Sequence, residues 1–243
     1  MDYTKLKVPN HLAIIVDGNG RWATLRDKKR SDGHLAGFMN LKDITKYAFS
    51  KGVNVLSAYL FSTENFKRSE KEVSFIMNLL TSKLKEILDL CHEVKFKVVF
   101  SGRRDKLSKK VISTISKIEE ETSMYGERIF NICFNYGGRA EIIDAAKKIA
   151  SDYSNKTIDL ETIDETIFNK YLYQDLPPVD LMIRTSGEMR LSNFMLWQCS
   201  YAEFYFPKVL FPDFDEKEFD KAILEYTSRD RRFGGINYEK KSN

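Results

Sequence analysis

With 243 residues, 42% of them hydrophobic, the chain is long enough to bury a sizeable core in one large domain or two small ones. Its 39 Lys and Arg against 35 Asp and Glu leave a net charge of +4, too little to argue for nucleic acid and as well suited to an anionic substrate as to a membrane surface. Three widely spaced cysteines, Cys91, Cys133 and Cys199, argue against a disulfide framework or a zinc site. The absence of an apolar N-terminal segment or an 18-residue apolar run predicts a soluble, cytoplasmic protein.

The first predicted strand, Leu12–Val16, runs straight into Asp17-Gly18-Asn19-Gly20-Arg21. Asp-Gly and Asn-Gly are hairpin signals, yet no alternating second strand follows; residues 24–34 are mostly charged. The other reading is an anion site, in which glycines after a strand let backbone N–H groups approach a phosphate, although the spacing is not that of a P-loop. A helix is predicted over Leu35–Ser50, then a strand over Val53–Phe61. Ser69 and Glu72 form a capping-box pattern that opens one long helix with an apolar stripe at Val73, Ile76, Met77, Leu80, Leu84, Ile87, Leu88 and Cys91. Phe75 and Leu79 widen that stripe into a second face, which suits either core or the wall of an apolar tunnel. Strands at Phe96–Phe100, Ile129–Phe134 and Val179–Ile183 alternate with helices at Leu107–Thr122, Ala140–Ser151, Ile163–Tyr171 and Glu216–Ser228.

The strands are apolar on consecutive positions, as in strands covered on both faces, so the expectation is a single α/β domain with a central, largely parallel sheet flanked by helices. In such a sheet the segments after each strand share one edge, where ligands bind. Here those segments are Asp17–Arg21, Ser62–Asn65, Ser101–Arg104, Asn135–Arg139 and Arg184–Glu188, and they carry five arginines. That edge reads as a site for a ligand with several negative charges; Arg103 and Arg104 read as a solvated loop.

The motifs HLAIIVDGNGRWA (11–23), Arg30 with GHLAG (33–37), FSTENFKR (61–68), FNYGGR (134–139), RTSGEMRLSNFMLWQCSYAEFYF (184–206) and RRFGG (231–235) occur in the order of the cis-prenyltransferase family. From about His11 to Gly235 the chain resembles that family, most of all the bacterial undecaprenyl diphosphate synthases. The resemblance implies one domain over 1–243 with flexible tails at 1–10 and 236–243, an apolar product tunnel, and successive cis condensation of isopentenyl diphosphate onto an allylic diphosphate. Farnesyl diphosphate is the expected primer and undecaprenyl diphosphate, the cell-wall lipid carrier, the expected product; a shorter product or a non-catalytic partner subunit are the alternatives. Asp17, Arg184, Arg190 and Ser192, which an inert subunit would lack, are all present.

By the same resemblance, Gly18, Asn19, Gly20, Arg21, Arg30, His34 and Arg68 hold the allylic diphosphate, and Arg184, Arg190, Leu191 and Ser192 the isopentenyl diphosphate. Trp22, Ser62, Thr63, Glu64 and Phe66 are expected to contact substrate, with Asp17 and Asn65 catalytic. Asp17 and Glu203 are expected to bind Mg²⁺. A homodimer is implied, with Arg232-Phe233-Gly234 reaching the partner's site, and peripheral membrane contact for product release. Duller roles exist for several of these: Asp17 as a turn residue, Trp22 as core, His34 as a cap in the Gly33–Gly37 turn. Chemically the set is coherent. Breaking the C–O bond of an allylic diphosphate builds negative charge on the leaving group, which arginines and Mg²⁺ stabilise. With no Asp-Asp pair in the chain, few carboxylates are left for the metal.

Overall fold

A computed structural model describes residues 6–230. Six strands form one sheet in the order β3-β4-β2-β1-β5-β6, every neighbouring pair parallel. They are β1 (His11–Ile15), β2 (Val55–Ser62), β3 (Lys97–Ser101), β4 (Ile129–Tyr136), β5 (Leu181–Arg184) and β6 (Glu203–Tyr205). The helices are α1 (Asn19–Thr24), α2 (Arg30–Ser50), α3 (Glu70–Ser82), α4 (Leu84–Val94), α5 (Lys109–Glu121), α6 (Gly138–Ser154), α7 (Glu165–Tyr171) and α8 (Glu216–Ser228). All five residues of β1 are buried, as the unbroken apolar run requires of a strand covered on both faces. A large cluster around Leu12, Ile14, Phe61, Phe100 and Phe134 fills one side, and a smaller one around Ala13, Tyr59, Tyr136 and Phe194 the other. The three cysteines are buried and free. Among the described residues no helix is long and apolar enough to cross a membrane.

Four elements differ from the expectation. The long helix from Ser69 is two, α3 and α4, broken at Lys83, which caps both. No Pro or Gly marks the break, and the apolar stripe continues through it, so periodicity alone does not show it. Helix α2 starts at Arg30 rather than Leu35; Asp32 accepts the Lys29 N–H at 3.1 Å and caps it there. The Gly33–Gly37 segment is therefore helix and not a turn. Helix α1 and strand β6, of six and three residues, are too short for a periodic signal.

A buried polar row crosses the sheet. His11 is fully buried; its Nδ1 lies 2.7 Å from the Pro177 carbonyl and so carries the proton, leaving Nε2 to accept from Ser57 Oγ at 2.8 Å. Ser57 Oγ in turn accepts from Asn131 Nδ2 at 3.0 Å, and Asn131 Oδ1 from Ser101 Oγ at 2.8 Å. A second proton on His11 would leave Ser57 facing a donor with a donor, and burial holds the imidazole down to about 4 from its ordinary 6.5. The unfolded chain binds this proton first, so His11 lowers stability as pH falls from 6.5 to 4 and contributes its full share above 6.5. The expected loss is on the order of 3 kcal/mol. Urea unfolding of wild type and His11→Gln at pH 7 and pH 4.5 should show a smaller acid loss in the variant; equal losses would remove His11 as the cause.

Candidate active site

Strand order reverses between β1 and β5, and both end at the cleft. Parallel register sets Ile15 beside Arg184. Asp17, two residues past β1, is pinned through its backbone: its N–H reaches Thr185 Oγ1 at 3.1 Å, and its carbonyl accepts from Thr185 Oγ1 at 2.7 Å and Phe211 N–H at 3.0 Å. Arg184, only 4% exposed, donates through Nη2 to Asp17 Oδ2 at 2.9 Å and through Nη1 to Ser192 Oγ and the Arg190 carbonyl, both at 2.6 Å. Its Nε is buried without a partner. Arg21 donates to the other Asp17 oxygen at 3.4 Å and pairs with Glu188 at 3.1 Å. One carboxylate thus lies between two guanidinium groups, the arrangement of a site built around anions.

The glycines after Asp17 act through packing. Gly18 opens α1 at φ 105°, left-handed backbone that suits a residue without Cβ, and no side chain caps the helix. Helix α1 lies so close on α2 that a Cβ at Gly33 would sit 1.9 Å from the Asn19 carbonyl oxygen, and one at Gly37 2.3 Å from Asn19 Oδ1. A Cβ at Gly20 would press the Arg30 guanidinium, 2.8 Å from Cζ. The GHLAG motif is thus the seat of α1.

Arg30, His34 and Arg68 come together on a carboxylate that the sequence offers only as a helix cap. Glu72 accepts from Arg30 Nε and Nη2 at 3.2 and 3.3 Å, from His34 Nε2 at 3.0 Å and from Arg68 Nη1 at 3.0 Å. Burial lowers the His34 pKa against the opposing pull of Glu72. Burial would raise Glu72, but bonds from His34 and Arg30 leave it below the usual carboxylate range. Beside them, Ser62 and Asn65 exchange hydrogen bonds, Ser62 Oγ accepting from Asn65 N–H at 3.2 Å and Asn65 Oδ1 from Ser62 N–H at 3.0 Å. Asn193, another residue without a sequence signal, ties the loops together. Its amide donates to Glu64 at 3.0 Å and accepts from Arg139 N–H at 2.9 Å, while its carbonyl accepts from Gly138 N–H at 2.7 Å.

Asp17, Gly18, Asn19, Gly20, Arg21, Arg30, His34, Ser62, Glu64, Asn65, Arg68, Arg184 and Ser192 all border one cleft of about 1410 Å³, open solvent included. Five other expected contacts do not border it. Trp22 turns out to Asp213, donating at 2.6 Å, with the Arg26 guanidinium 4.5 Å from its ring centre. Its neighbours Gly20 and Arg21 face the cleft, and one further residue on α1 turns it about 100° away. Thr63 packs toward Gly137, and Phe66 packs edge-on to Phe61 at 4.9 Å. Leu191 joins the smaller core cluster, and the Arg190 side chain pairs with Glu188 in solvent. Arg103, expected to be solvated, makes a two-bond pair with Asp144 at 2.8 Å.

Glu203 is not beside Asp17. It stands level with Leu181 on β6, while Asp17 follows the Arg184 level two strands away. By strand spacing the two lie more than about 10 Å apart. Arg229 takes the Glu203 carboxylate at 3.0 Å. A single chain therefore does not offer the two carboxylates to one ion. Arg232-Phe233-Gly234 lies outside the described residues.

Behind the cleft is an apolar pocket of about 850 Å³, open solvent included, walled by α2, α3, α4 and the sheet. Val16, Asn19, His34 and Leu60 border both spaces, so a polar head bound in the cleft could extend an apolar tail inward. Leu79 and Leu80 face it, whereas Phe75 sits against the His34 ring, centres 6.4 Å apart.

Residues 15–234 match the prenyltransferase family described as "Putative undecaprenyl diphosphate synthase". The chain belongs to that family. An isoprenyl transferase of Fusobacterium nucleatum is 48% identical to it over 94% of this chain and 97% of its own. A trans,polycis-polyprenyl diphosphate synthase of Thermobifida fusca, named as (2Z,6E)-farnesyl diphosphate specific, is 46% identical over 94% of this chain and 81% of its own. Lavandulyl diphosphate synthase of Lavandula x intermedia, solved in complex with dimethylallyl diphosphate, superposes with a TM-score of 0.90 at 36% identity, covering 93% of this chain and 98% of that one. The protein is a cis-prenyltransferase, and a cleft lined with cations opening into an apolar pocket is the shape that such chemistry needs.

The seat of α1 gives a direct test. Gly33→Ala must push the Asn19 backbone aside, so it should cost about 1–3 kcal/mol of stability and more than about tenfold in prenyl-transfer rate by displacing the start of α1 at the cleft. Gly126→Ala, where a Cβ meets nothing within 4 Å, is the control. Thermal melts and initial rates that leave Gly33→Ala level with the control would show that the close α1–α2 contact does not hold the site.

Proposed function

We propose that the protein condenses isopentenyl diphosphate repeatedly onto farnesyl diphosphate, each new double bond cis, to make undecaprenyl diphosphate. The observation that carries this reading is the continuity of the two spaces: a head-group cleft with Arg21, Arg30, Arg68 and Arg184 on its walls leads past Val16 and Leu60 into an apolar pocket. A shorter cis-prenyl product is the alternative to this chain length.

In this reading Arg30, Arg68, His34 and the Gly18–Arg21 turn hold the allylic diphosphate, and Arg184 with Ser192 the isopentenyl diphosphate, which Arg190 would join by leaving Glu188. The allylic C–O bond breaks and its electron pair leaves on the diphosphate. The terminal alkene carbon of isopentenyl diphosphate then bonds to the allylic carbon. Loss of one proton from the adjacent CH₂ sets the new double bond. Diphosphate and that proton are the by-products. Asn65, fixed by Ser62, orients the reacting groups, and Asp17 stands between the two diphosphate positions.

Among the described residues no three His, Cys, Asp or Glu side chains cluster to hold a metal. The single Asp17 carboxylate on the cleft wall suits Mg²⁺, which takes one or two carboxylates and fills its shell with substrate phosphate and water. Asp17 would hold it, and the ion would supply positive charge against the leaving diphosphate. Glu203 would join only from a second copy. A homodimer with the Arg232–Gly234 segment reaching the partner's site, and peripheral membrane contact for product release, complete the proposal.

Asp17 is best tested as Asn, because Ala would strand the buried Arg184 guanidinium. Asp17→Asn should remain folded and bind inorganic diphosphate, yet lose at least about 10²-fold in kcat. Retention of more than about a tenth of wild-type kcat would contradict its role. Incubation of the wild-type enzyme with labelled isopentenyl diphosphate, farnesyl diphosphate and Mg²⁺, followed by sizing of the products, checks the reaction itself. In the same assay Leu80→Trp, placed in the pocket wall, should leave the first condensation intact and shorten the ladder. Overpacking also costs about 1–3 kcal/mol, so a melt accompanies it; an unchanged ladder from folded protein would return Leu80 to plain core.

A further inference from the structure

We propose that Glu72 is a positioning residue of the allylic diphosphate site, the internal counter-ion that assembles Arg30, His34 and Arg68 into one array before substrate arrives. The inference rests on the prenyl-transfer reading above and adds to it a residue that contacts no substrate.

The three groups come from different elements. Arg30 and His34 stand on the first turns of α2, and Arg68 on the loop after β2. Arg30 and Arg68 are long, exposed side chains, 60% and 39% accessible, whose guanidinium groups repel each other and would spread into solvent if left alone. Glu72, 11% accessible on the first turn of α3, stops that. An ionised carboxylate can accept from several donors at once, and here four N–H groups converge on it, three on Oε1 and one on Oε2. Donors are left over: a guanidinium has five N–H, of which Arg30 gives two and Arg68 one to Glu72. Each guanidinium is therefore held from the Glu72 side, Arg30 by two N–H groups and Arg68 by one, with the remaining N–H free for a ligand.

Charge and position agree with this. Two arginines against one carboxylate, with His34 kept neutral by burial, leave the array at one net positive charge. It can still attract a diphosphate. The Arg30 guanidinium also rests on Gly20, which places the array against the Gly18–Arg21 turn. Fixing binding groups before the ligand arrives lowers the ordering cost of binding. Gly20, Arg21, Arg30, His34 and Arg68 border the cleft whereas Glu72 does not, so the carboxylate acts from behind the donors.

The opposite reading is that Glu72 is a plug that the diphosphate must displace. The two differ in sign. Calorimetric titration with farnesyl thiodiphosphate, whose C–S bond resists ionisation, should show Glu72→Gln binding at least tenfold more weakly than wild type. KM for isopentenyl diphosphate should move less than threefold, because Arg184 and Ser192 lie outside the array. Glu72→Asp, which keeps the charge on a shorter stem, should recover part of the affinity. The His34 ring, followed by NMR, should titrate at lower pH in Glu72→Gln, since its carboxylate partner is gone; a role confined to capping α3 would leave the ring unmoved. Equal or tighter binding of the thiodiphosphate by Glu72→Gln, or equal losses for both substrates, would overturn the inference. Should Glu72→Gln fail to fold, Glu72→Asp carries the test, with the same selective loss expected on a smaller scale. Wild-type protein that does not bind the thiodiphosphate at all would remove the prenyl-transfer reading and this one with it.

Discussion

The pairing of Asp17 with Arg184 is the constraint around which the rest is arranged. It forms where the strand order reverses, between β1 and β5, and parallel register delivers the two residues there without any loop having to find its partner. Arg184 is buried, so its charge needs the Asp17 carboxylate and the Ser192 and Arg190 oxygens together. That need ties the strand end to the 190–193 loop. Ser192 and Asn193 both take positive φ, at 48° and 66°, and the bonds to Arg184, Glu64 and the start of α6 keep them there. One buried guanidinium thus joins the segment after β1 to the 190–193 loop, and Asn193 extends that tie to the segments after β2 and β4.

On the other side of Asp17, organisation comes from close packing. Two glycines one helical turn apart on α2 admit α1 to backbone contact, and that places Gly20 against Arg30. Glu72 then completes the enclosure by drawing Arg68 and His34 to the same point. Electrostatics and sterics divide the work: glycines set how near the backbone comes, and carboxylates set where the cations point.

The apolar pocket follows from helix geometry. With α3 and α4 broken at Lys83, both present apolar side chains to the same space, Ile76, Leu79 and Leu80 from one and Ile87 and Leu90 from the other. The pocket opens on the cleft at His34, which meets Glu72 on one side and the Phe75 ring on the other. An apolar chain on a head group in the cleft would find room there.

Much of this was legible in the residues. Unbroken apolar runs identify strands covered on both faces, because only a parallel sheet between helix layers has no wet side, and the five strands read that way appear within two residues at either end. The motifs after β1, β2 and β5 mark the cleft because parallel strands bring their C-terminal ends to one edge. What only the tertiary structure decided depends on neighbours remote in the chain. Glu72 reads as a helix cap until α2 brings Arg30 and His34 to it, and Asn193 reads as nothing until it meets Glu64 and Gly138. Trp22 and Phe66 read as substrate contacts, yet the turn of α1 and the core aromatic cluster claim them. Asp17 and Glu203 read as one metal pair, but strand register separates them within a chain. Periodicity and turn chemistry are local properties that a sequence carries openly, whereas the partner of a charge is set by which surfaces meet in space.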